Sequence, residues 1–204
     1  MRQLAILLLS FSIAAFAQNA YQGTAAPAKP RPAGSPDTQF ATRAAEGNLA
    51  EVALGQLATQ KAQSDDVKKF AQRMVDDHQK AQQDLEGVAS KNNLTLPKTV
   101  NAQQKAEQQR LNKLSGAAFD RAYVQMMVRD HAKDVAEFKK EANDTAANSD
   151  LRDYAKRTYP TLDEHLTDAK SINQTLSKSA VSSGRNPEKK SRSSTRGAPG
   201  LWIA

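Results

Sequence analysis

Apolar side chains recur every three or four positions along four long stretches of the chain, the spacing of one face of an α-helix. No stretch alternates apolar and polar residues as a half-buried strand does. The pattern predicts four helices, with a kink in the last of them near Pro160 because proline lacks an amide donor. The predicted helices span residues 38–61, 64–92, 115–143 and 149–177. We therefore predict an all-α fold.

The connections between these stretches predict the topology. Only a few residues separate the first stretch from the second and the third from the fourth, so each pair should form an antiparallel hairpin. Residues 93–114 are long enough to run the length of a helix, and they contain a helical patch over residues 102–114. Two hairpins joined by a long crossover that contains a short helix form a ferritin-like four-helix bundle.

The first 17 residues have the parts of an export signal. Arg2 supplies a positive charge, residues 4–15 form an apolar run that is too short to cross a bilayer, and residues 15–17 read Ala-Phe-Ala, a small-x-small cleavage motif. We expect a signal peptide over residues 1–17, cleavage after Ala17, and a periplasmic or secreted mature protein. No later segment reads as a transmembrane helix, and without cysteine no disulfide framework is possible.

The two ends of the chain differ from its middle in composition and charge. Residues 18–37, rich in Pro, Ala and Gly, predict a flexible linker, and residues 178–204, rich in Ser, Lys and Arg, predict a disordered basic tail. The bundle domain between them, residues 38–177, has 20 basic and 20 acidic side chains, so the net charge of +7 lies in the ends. The tail suits weak contact with anionic envelope surfaces, and we expect no nucleic-acid partner. The pattern leaves the oligomeric state open.

The candidate chemistry lies in three histidines. His78, His131 and His165 each fall on the apolar stripe of a different predicted helix, and counting residues from the hairpin turns places them at similar heights. Glu51, among small and apolar residues of the first helix, falls at a matching height. We predict that the three imidazoles and this carboxylate converge near the middle of the bundle, where they are candidate metal ligands.

Two interpretations of this layer remain open. Three imidazoles and a carboxylate suit a single Zn(II), Cu(II) or Fe(II) ion. Alternatively, the histidines form a core polar network, hydrogen-bonded to tyrosines, acids or buried water, that specifies packing without binding a ligand. For one isolated histidine the core polar network would be preferred. Three histidines at one height leave both interpretations open.

An acidic residue precedes each histidine: Asp77, Asp130 and Glu164. Consecutive side chains on a helix point about 100° apart, so these acids do not share the inward direction of the histidines. We expect them to face solvent or to bridge to a neighbouring helix.

The sequence does not favour catalysis. Di-iron ferritin-like enzymes use Glu-x-x-His motifs, and here Val75, Val128 and Leu162 occupy the positions three residues before the histidines. No Ser–His–acid arrangement, phosphate-binding loop or cysteine nucleophile is present. We predict no catalytic residue and favour a non-enzymatic protein, with an oxidoreductase as the least favoured class.

Four segments resemble a bacterial family of domains of unknown function. They are Ala-Glu-Val-Ala-Leu-Gly at residues 50–55, Phe-Ala-Gln-Arg-Met-Val-Asp-Asp-His at 70–78, Tyr-Val-Gln-Met-Met-Val-Arg-Asp-His at 123–131, and Thr-Leu-Asp-Glu-His at 161–165. The family is exported, often labelled as outer-membrane proteins, and grouped with ferritin-like folds. The resemblance, over residues 38–175, implies that fold and an envelope location but no established activity. A structural or interaction module of the envelope is therefore the alternative to metal binding.

Overall fold

The computed structural model describes residues 34–183. The predicted signal peptide, most of the predicted linker and residues 184–204 of the predicted tail lie outside these described residues. Five helices and no strand occur among them, which confirms the all-α fold class. The helices are α1 (Pro36–Lys61), α2 (Asp65–Lys91), α3 (Ala102–Asn112), α4 (Gly116–Asn143) and α5 (Ser149–Ser183).

The helices pack as two hairpins, α1 with α2 and α4 with α5; α2 also packs on α5, and α1 on α4. At one end of the bundle the Asp120 carboxylate, near the start of α4, accepts hydrogen bonds from the backbone amides of Gln63 (3.0 Å) and Ser64 (2.8 Å) in the α1–α2 turn. At the other end Asn92, directly after α2, donates to Asp150 at the start of α5 (2.9 Å). The segment containing α3 therefore crosses the length of the bundle, as predicted. The narrower assignment to the ferritin-like group stays a prediction.

Local capping explains where two helices begin. Ser35 accepts a hydrogen bond from the Thr38 amide (3.2 Å), and Pro36 occupies the first turn, so α1 begins inside the segment predicted as linker. Asn101 and Gln104 form a capping box at the start of α3. The last helix continues through Pro160 to Ser183, past its predicted end at residue 177. Within residues 34–183 no helix is long and apolar enough to span a membrane.

Two apolar clusters fill the bundle, one toward the α1–α2 turn and one toward the α4–α5 turn. The first includes Leu54, Phe70, Met74, Phe119, Tyr123, Met127 and Ala169, and the second includes Phe40, Leu85, Phe138, Leu151, Tyr154 and Leu162. Apart from Asp120 at the α1–α2 turn, the buried polar residues of the four long helices fall between the two clusters. They are Asn48, Glu51, His78, His131 and His165, and we call them the polar layer.

Gly55 lets α1 and α2 approach closely beside this layer. A Cβ atom added at Gly55 would lie 2.8 Å from Cγ2 of Val75 and 2.9 Å from the backbone oxygen of Ala71. The backbone oxygen cannot rotate away as a side chain can, so the helices would have to separate to admit a methyl group.

We expect Gly55→Ala to lower the free energy of unfolding by about 1–3 kcal/mol, the usual cost of overpacking. Gly47→Ala in the same helix is the matched control, because an added Cβ there meets nothing within 4 Å. That control should raise the free energy of unfolding by about 0.5–1 kcal/mol, since alanine favours helix over glycine. Urea unfolding of both variants checks the pair, and equal stabilisation by both would contradict the close approach.

Candidate metal centre

The three histidines come together in the polar layer from three different helices. His78 on α2, His131 on α4 and His165 on α5 are 3%, 0% and 0% exposed. Their ring centroids are 5.3–5.6 Å apart. One nitrogen from each ring lies within 4.8 Å of the other two. Each ring is therefore a direct neighbour of the other two.

Hydrogen bonds to pure acceptors determine which nitrogen carries the proton in two of the rings. His131 Nδ1 lies 3.0 Å from the backbone oxygen of Met127, which can only accept, so Nδ1 is the protonated nitrogen. His165 Nε2 lies 2.8 Å from the carboxylate of Asp77, which likewise accepts. The remaining nitrogens, Nε2 of His131 and Nδ1 of His165, therefore carry lone pairs.

The tautomer of His78 follows from a chain of amides that ends on a carboxylate. Gln82 donates through Nε2 to Glu86 (2.9 Å), which leaves its oxygen facing Asn48. Asn48 donates through Nδ2 to that oxygen (3.5 Å) and to the hydroxyl of Tyr154 (3.3 Å). The oxygen of Asn48 therefore accepts from Nδ1 of His78 (3.0 Å), and Nε2 of His78 carries the lone pair.

The lone pairs of His78 and His131 thus face each other inside the bundle, and the third lone pair lies on the neighbouring His165 ring. Nε2 of His78 lies 3.4 Å from Nε2 of His131, and Nδ1 of His165 is buried without a hydrogen-bond partner. The three lone-pair nitrogens are all hydrogen-bond acceptors and have no donor between them, so the site lacks positive charge. A cation placed among them would pair with all three lone pairs at once.

The rings remain neutral at ordinary pH. Burial lowers the pKa of His131 to about 3, opposed in part by its bond to Met127. Burial also lowers the pKa of His78 well below its usual range, helped by the two neighbouring imidazoles. Burial likewise lowers the pKa of His165, although the Asp77 carboxylate opposes this effect. Protonation therefore does not supply the missing positive charge, and metals bind neutral imidazole.

The nitrogen geometry fits a tetrahedral ion. Two nitrogen ligands of a tetrahedral zinc, each about 2.0–2.1 Å from the metal, are about 3.3–3.4 Å apart. The separation of 3.4 Å between Nε2 of His78 and Nε2 of His131 matches that edge. The third imidazole is His165, one nitrogen of which lies within 4.8 Å of a nitrogen of each other ring.

Glu51 is the one predicted site residue that the structure does not bring into this group. Its carboxylate is buried, at 3% exposure, and Oε2 has no hydrogen-bond partner. It lines a cavity of about 330 Å³ bounded by α1, α3 and α4, at whose wall His78 and Asn48 also lie. Burial, followed by the charges of Asp130, Asp134 and Glu107, raises the pKa of Glu51 well above its usual range.

Carboxylates dominate this cavity, which we call the acidic cavity. Its basic residues are Arg43 and Lys133, and Arg43 is already paired with Glu137 (2.6 Å). Burial and the neighbouring carboxylates of Asp130 and Glu137 raise the pKa of Asp134 to about 7. The acidic lining residues are Glu46, Glu51, Glu107, Asp130, Asp134 and Glu137.

The acids beside the histidines have different roles. Asp77 binds His165 on the neighbouring helix and also Arg73 (3.2 Å), and Arg73 in turn binds Glu164 on α5 (2.6 Å). Asp77 and Glu164 therefore bridge neighbouring helices, which is one of the two arrangements that we predicted for these acids. Asp130 instead lies on the wall of the acidic cavity.

Sequence reasoning missed two features of the site. Asn48 orients His78, and its signal was a polar residue with alanines on both sides of it along the α1 stripe, at positions 44, 45 and 50. The acidic cavity was also not predicted, although Asp130 and Asp134 lie one turn apart on α4. Its signal was weak because such spacings are common on solvated helix faces.

Three comparisons place the chain among known proteins. A family model described as a domain of unknown function, DUF4142, matches residues 22–172. The chain matches none of the curated proteins. It is similar in structure to a DUF305 fragment from Deinococcus radiodurans, at 14% identity and a TM-score of 0.59, over 71% of this chain and 97% of that one. It is also similar to a DUF305 protein from Streptomyces coelicolor, described as predicted to be secreted, at 16% identity and a TM-score of 0.59, over 72% of this chain and 96% of that one.

The hydrogen bonds predict the tautomer of every histidine in the metal-free protein near pH 7. Nitrogen-15 shifts should show the proton on Nδ1 of His78 and His131 and on Nε2 of His165. His131 should not titrate between about pH 5 and 8, because burial lowers its pKa to about 3. A proton on Nε2 of His78 or His131, or a titration of His131 in that range, would contradict the arrangement of lone pairs.

The raised pKa of Asp134 predicts how stability changes with pH. The folded state holds this proton up to about pH 7, whereas the ordinary value is 3.8, so stability declines as pH rises through that window. Asp134→Asn should match the parent protein near pH 4 and exceed its free energy of unfolding near pH 8 by on the order of 1 kcal/mol, with solvent and Lys133 screening the rest. Asp163→Asn, at an exposed position of α5, is the control and should show no such pH-dependent gain in urea unfolding.

Proposed function

The chain belongs to the DUF4142 family of domains of unknown function, and we propose that it is an exported helical bundle that binds one transition-metal ion through His78, His131 and His165. The observation that carries the proposal is the meeting of three buried imidazoles, each with one nitrogen lone pair, in the polar layer. The bound ion pairs with Nε2 of His78, Nε2 of His131 and Nδ1 of His165.

The ligand set limits the class of metal. Three imidazoles suit Zn(II), Cu(II) and Fe(II), and among divalent ions of the first row Cu(II) binds such sites most tightly. Asn48, the Met127 carbonyl and Asp77 hold the outer nitrogens, as the partners of metal-bound histidines commonly do. A water molecule completes the coordination, or the Glu51 carboxylate does so after moving toward the ion. We propose a non-enzymatic role for the protein.

The proposed location outside the cytoplasm rests on two observations. Residues 1–17 have the composition of a signal peptide, and the similar Streptomyces coelicolor protein is described as predicted to be secreted. Both support an exported protein, periplasmic or secreted, with weak contact between the basic tail and anionic envelope surfaces.

A structural or interaction module of the envelope is the competing function. The hydrogen bond that each imidazole already makes supports it, because a buried polar network needs such partners to specify packing. The three opposed lone pairs weigh against it, because a network that only packs the core gains nothing from leaving them without a donor.

Metal titration of the chelator-treated mature protein separates the two functions. We expect one equivalent of Zn(II) or Cu(II) to bind, and a free metal concentration of 100 times Kd to stabilise the protein by about 2.7 kcal/mol. His131→Asn should weaken binding by more than about a hundredfold, beyond the usual loss for a residue that merely orients a ligand. Calorimetry and thermal unfolding with and without metal measure both effects.

Tyr123→Phe is the matched control for the histidine variant. Tyr123 is buried on the same helix as His131, and its hydroxyl has no hydrogen-bond partner. The control should keep the metal affinity of the parent protein. If the parent protein binds no metal, and histidine variants only unfold at lower temperature, the histidines form the core network instead.

A further inference from the structure

The acidic cavity touches the histidine centre at His78, which lies on its wall. We propose that this cavity is the access route for the metal ion, in which its carboxylates attract a hydrated divalent cation and pass it to the three imidazoles. The proposal rests on the proposed function, because it assigns a path to the same metal site.

Burial of the three histidines makes a path necessary. His131 and His165 are fully buried, and they contribute nothing to the cavity wall. His78 is the imidazole that reaches the cavity, beside Asn48, which holds its Nδ1. His78 is therefore the imidazole that an ion in the cavity meets first.

The charge of the cavity suits a cation in transit. Six carboxylates face two basic side chains, and one of those, Arg43, is paired with Glu137. Clefts lined by one sign of charge raise the local concentration of the opposite ion and speed its association by about 10–1,000-fold. The cavity volume of about 330 Å³ also leaves room for a cation with several of its water molecules.

Glu51 is the second observation that points to a cation. Its Oε2 atom is buried at the cavity wall without a hydrogen-bond partner, on the same helix as Asn48 and one turn away. A buried carboxylate oxygen without a donor is costly unless a cation or proton reaches it. Glu51 is thus placed to hold an ion in the cavity that His78 also lines.

The carboxylates do not form a chelate of their own. Among residues 34–183, the group of three convergent metal-ligating side chains is His78, His131 and His165. The acids are spread over the cavity wall, on α1, α3 and α4. Dispersed carboxylates attract an ion through their field without trapping it, which is what a route requires and a storage site does not.

Stopped-flow mixing of the full mature protein with Co(II), followed by its visible absorption, tests the route. At pH 8, where Asp134 is ionised, Asp130→Asn/Asp134→Asn removes two charges from the cavity and should lower the association rate constant about tenfold or more, with little change in dissociation. The matched control is Asp76→Asn/Asp84→Asn, which removes two charges from exposed positions of α2 and should change the rate less than twofold. Added salt should slow the parent protein toward the rate of the cavity variant.

The outcomes separate this proposal from the proposed function. Association at the same rate in the cavity variant, the control and the parent protein, with one Co(II) bound in each, would overturn the route and leave the metal centre intact. A change confined to dissociation would make the acids ligands and would also overturn the route. Failure of the parent protein to bind any Co(II), Zn(II) or Cu(II) would remove the metal centre and the route together.

Discussion

The polar layer depends on one constraint: each buried imidazole donates its single N–H to an acceptor outside the triad. Asn48, the Met127 carbonyl and Asp77 accept those hydrogen bonds, so each ring is left with one nitrogen lone pair. Apolar clusters on both sides exclude the water that would otherwise solvate them. The layer therefore contributes little to stability by itself, and a bound cation would turn it into a strong cross-link between α2, α4 and α5.

The acidic cavity, like the polar layer, has too little positive charge, but its unpaired groups are carboxylates. Glu51 is buried without a donor, and the pKa of Asp134 is raised to about 7 because burial and neighbouring carboxylates disfavour its charged form. The histidine site lacks positive charge because each N–H donates outside the triad. The acidic cavity lacks positive charge because few basic side chains lie near its carboxylates. Two adjacent regions that both lack positive charge are unlike an ordinary core, where buried polar groups pair with each other. The proposed metal ion would supply positive charge to both.

The sequence predicted the helices and the meeting of the three histidines because both depend on periodicity, which survives errors of a residue or two. It did not separate Glu51 from the histidines, because α1 is apolar around much of its circumference and Asn48, one turn earlier, faces the same layer. The tautomers depend on contacts such as His165 with Asp77, which are 88 residues apart. The start of α1 was placed too late because Ser35 caps the helix from within a Pro-rich segment.

The crossover that distinguishes this topology from a plain up-and-down bundle also builds the acidic cavity. α3 lies against α1 and α4 and contributes Glu107, with Asn101 at its cap bound to Glu46 of α1 (2.9 Å). Leu111 is the one buried residue of α3, so hydrogen bonds at both ends hold the helix, including those of Lys61 to Asn112. Without α3 the carboxylates between α1 and α4 would be hydrated and screened, and their field would be weak. The connection that returns the chain to the far end of the bundle thus also covers those charges, whose proposed action on an approaching ion would be stronger in the resulting lower dielectric.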